Sequence, residues 1–138
     1  MILPDMSLTA LILLAGWLAV IAETDRRTGR IPNALLWPGV LGVGVAGCAH
    51  PEVLFAAAAG SVGYLVAFVC GRCGGADVKL GFVLGGLLAH PMSALVMVVL
   101  AQVGLLVVHR RAGPRRRPHG PTLVTAAVIV VVLGFALG

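Results

Sequence analysis

The hydrophobic positions of the chain fall into six apolar runs, separated by short breaks rich in glycine, proline or charge, as connecting segments are. Each run predicts a membrane-spanning helix. Proline stands near the start of several runs, where the loss of a backbone N–H is tolerated best. The predicted helices cover residues 6–22, 34–48, 53–69, 78–89, 92–108 and 122–137.

The composition indicates an integral membrane protein. The 138 residues are 59% hydrophobic and 11% charged, and the mean hydropathy is +1.05. A soluble domain of this size carries far more charge on its surface. We therefore predict an all-α membrane protein, a polytopic bundle of six short transmembrane helices that forms one domain over residues 1–138. The first run has no basic stretch before it, which favours a retained helix over a cleaved signal peptide.

The cationic residues predict the orientation of this bundle. All of them lie in or beside the loops that follow the first, third and fifth predicted helices, and the positive-inside rule places those loops in the cytoplasm. Both termini are then predicted on the outer side of the cytoplasmic membrane. Because no aromatic residues are interleaved with the arginines, the net charge of +5 indicates contact with membrane lipids and no nucleic acid partner. The cationic residues are Arg26, Arg27, Arg30, Arg72, Lys79, Arg110, Arg111, Arg115, Arg116 and Arg117.

The fourth predicted helix is the shortest. Its dozen residues give a length of about 18 Å, against roughly 30 Å of hydrocarbon. A re-entrant segment would move the last arginine-rich loop outside, against the positive-inside rule. We therefore predict a short span, whose mismatch is absorbed by local thinning of the bilayer or by packing that sinks one end. Asp77 would then lie below the headgroup plane.

Two aspartates at helix ends are the candidates for catalysis. Asp25 follows the first predicted helix, and Asp77 opens the fourth within a glycine-rich break. The non-catalytic interpretations are a helix N-cap for Asp77 and a solvated interfacial charge for Asp25, although a negative charge is disfavoured at a helix C-terminus. If the first and fourth helices pack side by side, the two carboxylates meet and one stays protonated. Such a pair supplies the acid and the base that peptide hydrolysis needs.

Other residues near the aspartates have weaker signals. Gly74 and Gly75 allow the close backbone approach and unusual dihedral angles that an extended substrate would need. Lys79 holds charge in the site or contacts the substrate backbone, or it only snorkels to the interface. Cys70 and Cys73 form a C-x-x-C pair, but a structural zinc site needs four ligands and Cys48 is predicted at the opposite face. We therefore predict no metal and no cofactor.

These motifs resemble those of the type IV prepilin peptidases, membrane-embedded aspartic proteases of the Gly-x-Gly-Asp class. The first motif of that family is an Asp at a helix end followed by a basic stretch and Ile-Pro-Asn, matched here from Asp25 to Asn33. The second, Gly-x-Gly-Asp-x-Lys, is resembled by residues 74–79, and a late Gly-Pro-x-Leu is found at residues 120–123. Together with the six-helix plan, the resemblance covers nearly the whole chain.

The resemblance implies an aspartic endopeptidase in which Asp25 and Asp77 are catalytic. Its substrate would be a pilin-like precursor, cut on the cytoplasmic side between a basic leader and a hydrophobic helix. Longer members have a cysteine-rich region that accompanies N-methylation, and this chain has no room for one. A peptidase without methyltransferase activity is therefore implied, as in short members that serve tight-adherence pili. Ala76 stands where the family has a second glycine, which implies an altered loop or lower activity.

Two other classes of function stay open at this level, and the oligomeric state is not predicted. A small membrane transporter or channel component would use carboxylates to relay ions, but such groups lie near the middle of the membrane. A non-catalytic subunit of a pilus or secretion assembly would need neither aspartate.

Overall fold

The computed structural model describes residues 7–112 and 120–137. These residues form six α-helices, which confirms the predicted all-helical class. Two of the helices, α1 and α3, are long and apolar enough to cross a membrane. The predicted helix start at residue 6 and the three arginines at 115–117 lie outside the described residues. The helices are α1 (Leu8–Thr28), α2 (Asn33–Ala49), α3 (Pro51–Val69), α4 (Gly75–Leu88), α5 (Pro91–Ala112) and α6 (Gly120–Leu137).

Helix α1 continues past the end that the hydropathy pattern predicts. Its last turn is charged, and Glu23 pairs there with Arg26, at 2.7 Å between Nε and Oε2, and with Arg27. Pairs at this spacing support a helix even where the apolar run has stopped. Gly29, with φ of 62°, then ends the helix, and its N–H donates to the carbonyl of Asp25 at 2.8 Å. The predicted end at residue 22 is therefore wrong, and Asp25 lies within the helix.

Helix α4 is the central helix of the bundle. It packs against α2, α3, α5 and α6, and most of its residues are buried. Its contact with α3 is made backbone to backbone: a Cβ on Gly60 would lie 2.5 Å from the carbonyl oxygen of Gly81 and 2.9 Å from the Cα of Gly85. Small residues permit this approach between helices. The 14 residues of α4 give a length of about 21 Å.

Helix α1 lies at the outside of the bundle and packs mainly on α6. Its Trp17 reaches α2, where the indole N–H donates to the carbonyl of Leu35 at 3.0 Å, close to the break in helical hydrogen bonding that Pro38 causes. The expected side-by-side packing of the first and fourth helices is wrong for the described residues. Helices α2 and α6 pack directly on α4, while Trp17 of α1 packs against the apolar cluster that contains Val83 of α4.

The outward faces of the helices are apolar. Leu13, Val45, Phe55 and Val69 each expose more than two thirds of their surface. A soluble protein rarely leaves so much large hydrophobic surface open to water. This surface is typical of a bundle whose surroundings are lipid.

Replacing Gly60 by Ala tests the contact between α3 and α4. Because the new Cβ meets backbone atoms that cannot rotate away, we expect the free energy of unfolding to fall by about 1–3 kcal/mol. The matched control is Gly44→Ala in α2, where a Cβ would meet no atom within 4 Å. That variant should be as stable as the parent or slightly more stable. Unfolding in detergent, followed by tryptophan fluorescence, measures the difference, and equal stability of both variants would contradict the packing.

Candidate active site

Two carboxylates are buried at the end of the bundle where α1 finishes and α4 begins. Asp25 exposes 5% of its surface and Asp77 exposes 8%, and no other charged side chain among the described residues is buried. Burying a carboxylate is costly unless it has a partner or a function. The structure thus singles out the same two residues that the sequence motifs mark.

The loop before Asp77 is built from the end of α3 and the start of α4. Gly71, with φ of 70°, ends α3, and Gly74 precedes the first residue of α4 with an extended backbone. Asp77 is the third residue of α4, and its Oδ2 accepts a hydrogen bond from the N–H of Gly74 at 3.1 Å. The predicted capping role of Asp77 is therefore met in a modified form: Gly74 occupies the N-cap position, and Asp77 caps the helix from the third position as part of a capping box.

Neither glycine beside Asp77 has backbone dihedral angles that only glycine can adopt. Gly74 has φ of −89°, an ordinary value, and Gly75 lies in the first turn of a regular helix. The predicted unusual dihedral angles belong instead to Gly71. A Cβ on Gly74 or Gly75 would meet no neighbouring atom closer than 3.8 Å. Their nearest neighbours would be Oδ2 of Asp77 and the Phe68 ring, at ordinary contact distance, and Gly74 itself is exposed.

Asp25 is buried because of its helical position. It follows Ile21 by one turn, so both side chains lie on the inward stripe of α1, and Ile21 is fully buried. Glu23, two residues earlier, lies on another face and is occupied by Arg26 and Arg27. The two acidic residues of this turn therefore differ in environment.

Lys79 contacts the start of α2. Its Nζ donates to Oδ1 of Asn33 at 2.9 Å and lies 5.4 Å from the centre of the Trp37 ring. Sequence reasoning assigned no role to Asn33 or Trp37. The available signal was Asn33 itself, the polar residue that ends the Ile-Pro-Asn sequence and begins an apolar run.

Ala76, the departure from the family pattern, is partly buried and packs against the apolar core. Its methyl group therefore has room within the fold. The expected alteration of the loop is not visible at Gly74 or Asp77, whose mutual hydrogen bond has ordinary length.

A cavity of about 300 Å³ lies beside the loop, between α3 and α5. The thiol of Cys73 reaches this region and donates to the carbonyl of Tyr64 at 3.2 Å. Burial raises the pKa of the Cys73 thiol, and the negative charge of Asp77 raises it further. Asp77 thus acts electrostatically on the cavity wall. The cavity is lined by Gly63, Tyr64, Ala67, Arg72, Cys73, Val98 and Gln102.

A comparison with known protein families identifies the family of this chain. Residues 12–109 match the type IV leader peptidase family, a span that includes both buried aspartates. The chain is a member of that family. Membership implies an aspartic peptidase of prepilin-type substrates and, with the two apolar helices, a location in a membrane. No curated protein and no solved structure shows a significant match to the chain.

In this member of the leader peptidase family, alkylation of Cys73 tests whether the charge of Asp77 acts on the Cys73 thiol. Asp77→Asn removes the negative charge that raises the thiol pKa, so more thiolate forms at a given pH. We expect N-ethylmaleimide to modify Cys73 faster at pH 8 in this variant than in the parent. Peptide mass spectrometry measures the rate, with the exposed Cys70 as internal reference. An unchanged ratio of the two rates would place Asp77 away from the thiol.

Proposed function

We propose that this chain is a membrane-embedded aspartic endopeptidase that removes the basic leader of type IV pilin-like precursors on the cytoplasmic side of the membrane. The observation that carries the proposal is the burial of Asp25 and Asp77, alone among the charged side chains of the described residues. Both lie within the part of the chain that matches the leader peptidase family.

The two carboxylates would act as one coupled unit, with a single proton between them. The protonated carboxyl polarises the scissile carbonyl, and the ionised one takes a proton from the attacking water. The oxygen of that water bonds to the carbonyl carbon, and the departing amine receives a proton as the C–N bond breaks. Neither aspartate is assigned to a fixed role, since the proton belongs to the pair.

The loop at Gly74 would receive the substrate. Gly74 is exposed, so an extended segment of a precursor can reach it, and the hydrogen bond from the Gly74 N–H orients the carboxylate of Asp77 towards the same loop. The hydrophobic helix of the precursor would remain in lipid beside the apolar outer faces. Cleavage would then fall between the basic leader and that helix.

The proposal includes the membrane arrangement that the sequence predicts. All six helices would span the cytoplasmic membrane as one prepilin-peptidase-like domain over residues 1–138, with both termini outside and lipids as neighbours. The short α4 would cross inside a ring of protein. The activity would be that of a peptidase without a methyltransferase, and no cofactor is needed for acid–base hydrolysis by a carboxylate pair.

An ion-relaying transporter is less well supported. A relay needs carboxylates near the middle of the membrane, whereas Asp25 lies in the last turn of α1 and Asp77 in the first turn of α4. In a non-catalytic assembly subunit Asp77 would serve only to cap α4, which does not by itself call for a second carboxylate, Asp25, buried at the same end of the bundle. The position and burial of the pair favour hydrolysis.

Substitution of either aspartate by asparagine tests the catalytic pair. Asp25→Asn and Asp77→Asn preserve size and shape but remove the base and the shared proton, so each should abolish processing of a co-expressed pilin precursor. The matched control is Glu23→Gln, which alters a partly exposed acidic residue two positions from Asp25, on another face of α1. This control should process at least half as fast as the parent. Immunoblotting of precursor and mature pilin, with the enzyme quantified in the membrane fraction, gives the result. Processing by either asparagine variant would remove the pair from the mechanism.

Replacement of Gly74 by Val tests the proposed substrate approach. The extended backbone of Gly74 accepts a β-branched residue, and its Cβ would meet no atom closer than 3.8 Å. We therefore expect the free energy of unfolding to change by less than about 1 kcal/mol, as for an unstrained surface position. Processing should nevertheless fall by at least about tenfold if a substrate chain lies against this loop. Parallel measurements of melting temperature and processing rate separate the two effects, and parent-like processing would exclude this approach.

A further inference from the structure

We propose that Asn33, Trp37 and Lys79 form a clamp that sets the separation of the two segments carrying Asp25 and Asp77. The inference rests on the proposed function, because it assigns the three residues as positioning residues for that pair. We refer to the contact as the Asn33–Lys79 clamp.

The clamp joins elements that are far apart in sequence. The ammonium group of Lys79 donates to Oδ1 of Asn33 at 2.9 Å, and the Trp37 ring, one turn further along α2, lies 5.4 Å from the same ammonium group. A cation therefore has a carbonyl oxygen on one side and an aromatic face on the other. Both contacts favour charged lysine and restrict where its side chain can lie.

The α2 side of the clamp is tied closely to Asp25. The carbonyl of Asp25 accepts the N–H of Gly29, and the Thr28 hydroxyl oxygen lies 2.7 Å from the carbonyl oxygen of Arg30. Ile31 is buried in the same apolar cluster as Ile21, and Pro32 limits the backbone directly before Asn33. The connection from Asp25 to Asn33 is thus short, hydrogen-bonded and anchored. A displacement of Asn33 would be transmitted to the end of α1.

The α4 side is equally close to Asp77. Lys79 lies two residues further along the same helix, and side chains at this spacing point in different directions. Its ammonium group is accordingly directed towards α2, where Asn33 holds it. Lys79 therefore acts on the two aspartates by fixing the position of α4, and it does not contact the substrate.

The clamp can set the separation of the two aspartates because α1 and α4 do not pack along one another. Helix α1 packs on α6, and α2 packs on α4. The distance between the segments that carry Asp25 and Asp77 therefore depends on the helices that lie between them, α2 and α6. Near the ends that hold the aspartates, the Asn33–Lys79 clamp is a side-chain hydrogen bond that directly connects the α1–α2 hairpin with α4.

The activity test uses both sides of the contact. Asn33→Leu and Lys79→Met each remove the hydrogen bond while keeping an apolar side chain of similar length. We expect each to slow precursor processing by roughly tenfold, the effect of one charge-assisted hydrogen bond, and the double variant to be no slower than either single variant. Asn33→Asp and Lys79→Arg keep an acceptor and a donor, and should process within about twofold of the parent.

The matched control is Ser7→Ala, which removes a side-chain hydrogen bond with the Ala10 N–H at the start of α1, the end of that helix opposite Asp25. It should process at the parent rate, because it is remote from both aspartate segments. Losses that multiply in the double variant, or parent-like rates in both single variants, would overturn the proposal. If one single variant does not accumulate in the membrane, the other tests the same contact from the opposite helix.

A distance measurement tests the clamp independently of catalysis. Spin labels are placed at Arg30→Cys and Arg72→Cys after Cys48, Cys70 and Cys73 are replaced by serine, and pulsed electron paramagnetic resonance is recorded in lipid nanodiscs. We expect a single narrow distribution that broadens in Asn33→Leu and stays narrow in Asn33→Asp. An unchanged distribution in Asn33→Leu would overturn the clamp. Absence of processing in the parent, with a distribution that broadens in Asn33→Leu, would instead reject the proposed function and leave the clamp standing.

Discussion

Direct backbone contact between α3 and α4 is the constraint on which the rest of the structure depends. Gly60 faces Gly81 and Gly85 with no side chain between the helices, so any shift along their axes brings a side chain into the contact. Gly81 follows Asp77 by one helical turn, and the position of that carboxylate is therefore determined by the register of the two helices. The other helices that contact α4 pack around this pair.

The two aspartates are held by different kinds of contact. The α3–α4 pair positions Asp77 through backbone packing, while α1, which carries Asp25, packs on α6 and contacts α2 through Trp17, whose indole donates to the Leu35 carbonyl. The hydrogen bond from Lys79 to Asn33 adds a link between α4 and the start of α2. Asp77 is therefore positioned by apposed backbones, and Asp25 by the packing of side chains.

Much of this arrangement follows from the sequence. Hydropathy predicted six helices in the right order, and the position of charge among apolar runs marked Asp25 and Asp77, which the structure buries. The true end of α1 was missed because hydropathy detects an apolar environment and not helical hydrogen bonding. The partners of each helix were also missed, since an apolar residue such as Ile21 packs equally well against several neighbours. The contact of Lys79 with Asn33 spans 46 positions of sequence, which no local pattern records.

The central position of α4 determines which parts of the protein respond to the thickness of a bilayer. In the proposed membrane arrangement α2, α3, α5 and α6 would separate the short α4 from lipid, so the mismatch between its length and the acyl chains would be met by protein. Helix α1 lies at the outside and would face lipid directly. A change in acyl-chain length would then act first on the helix that carries Asp25.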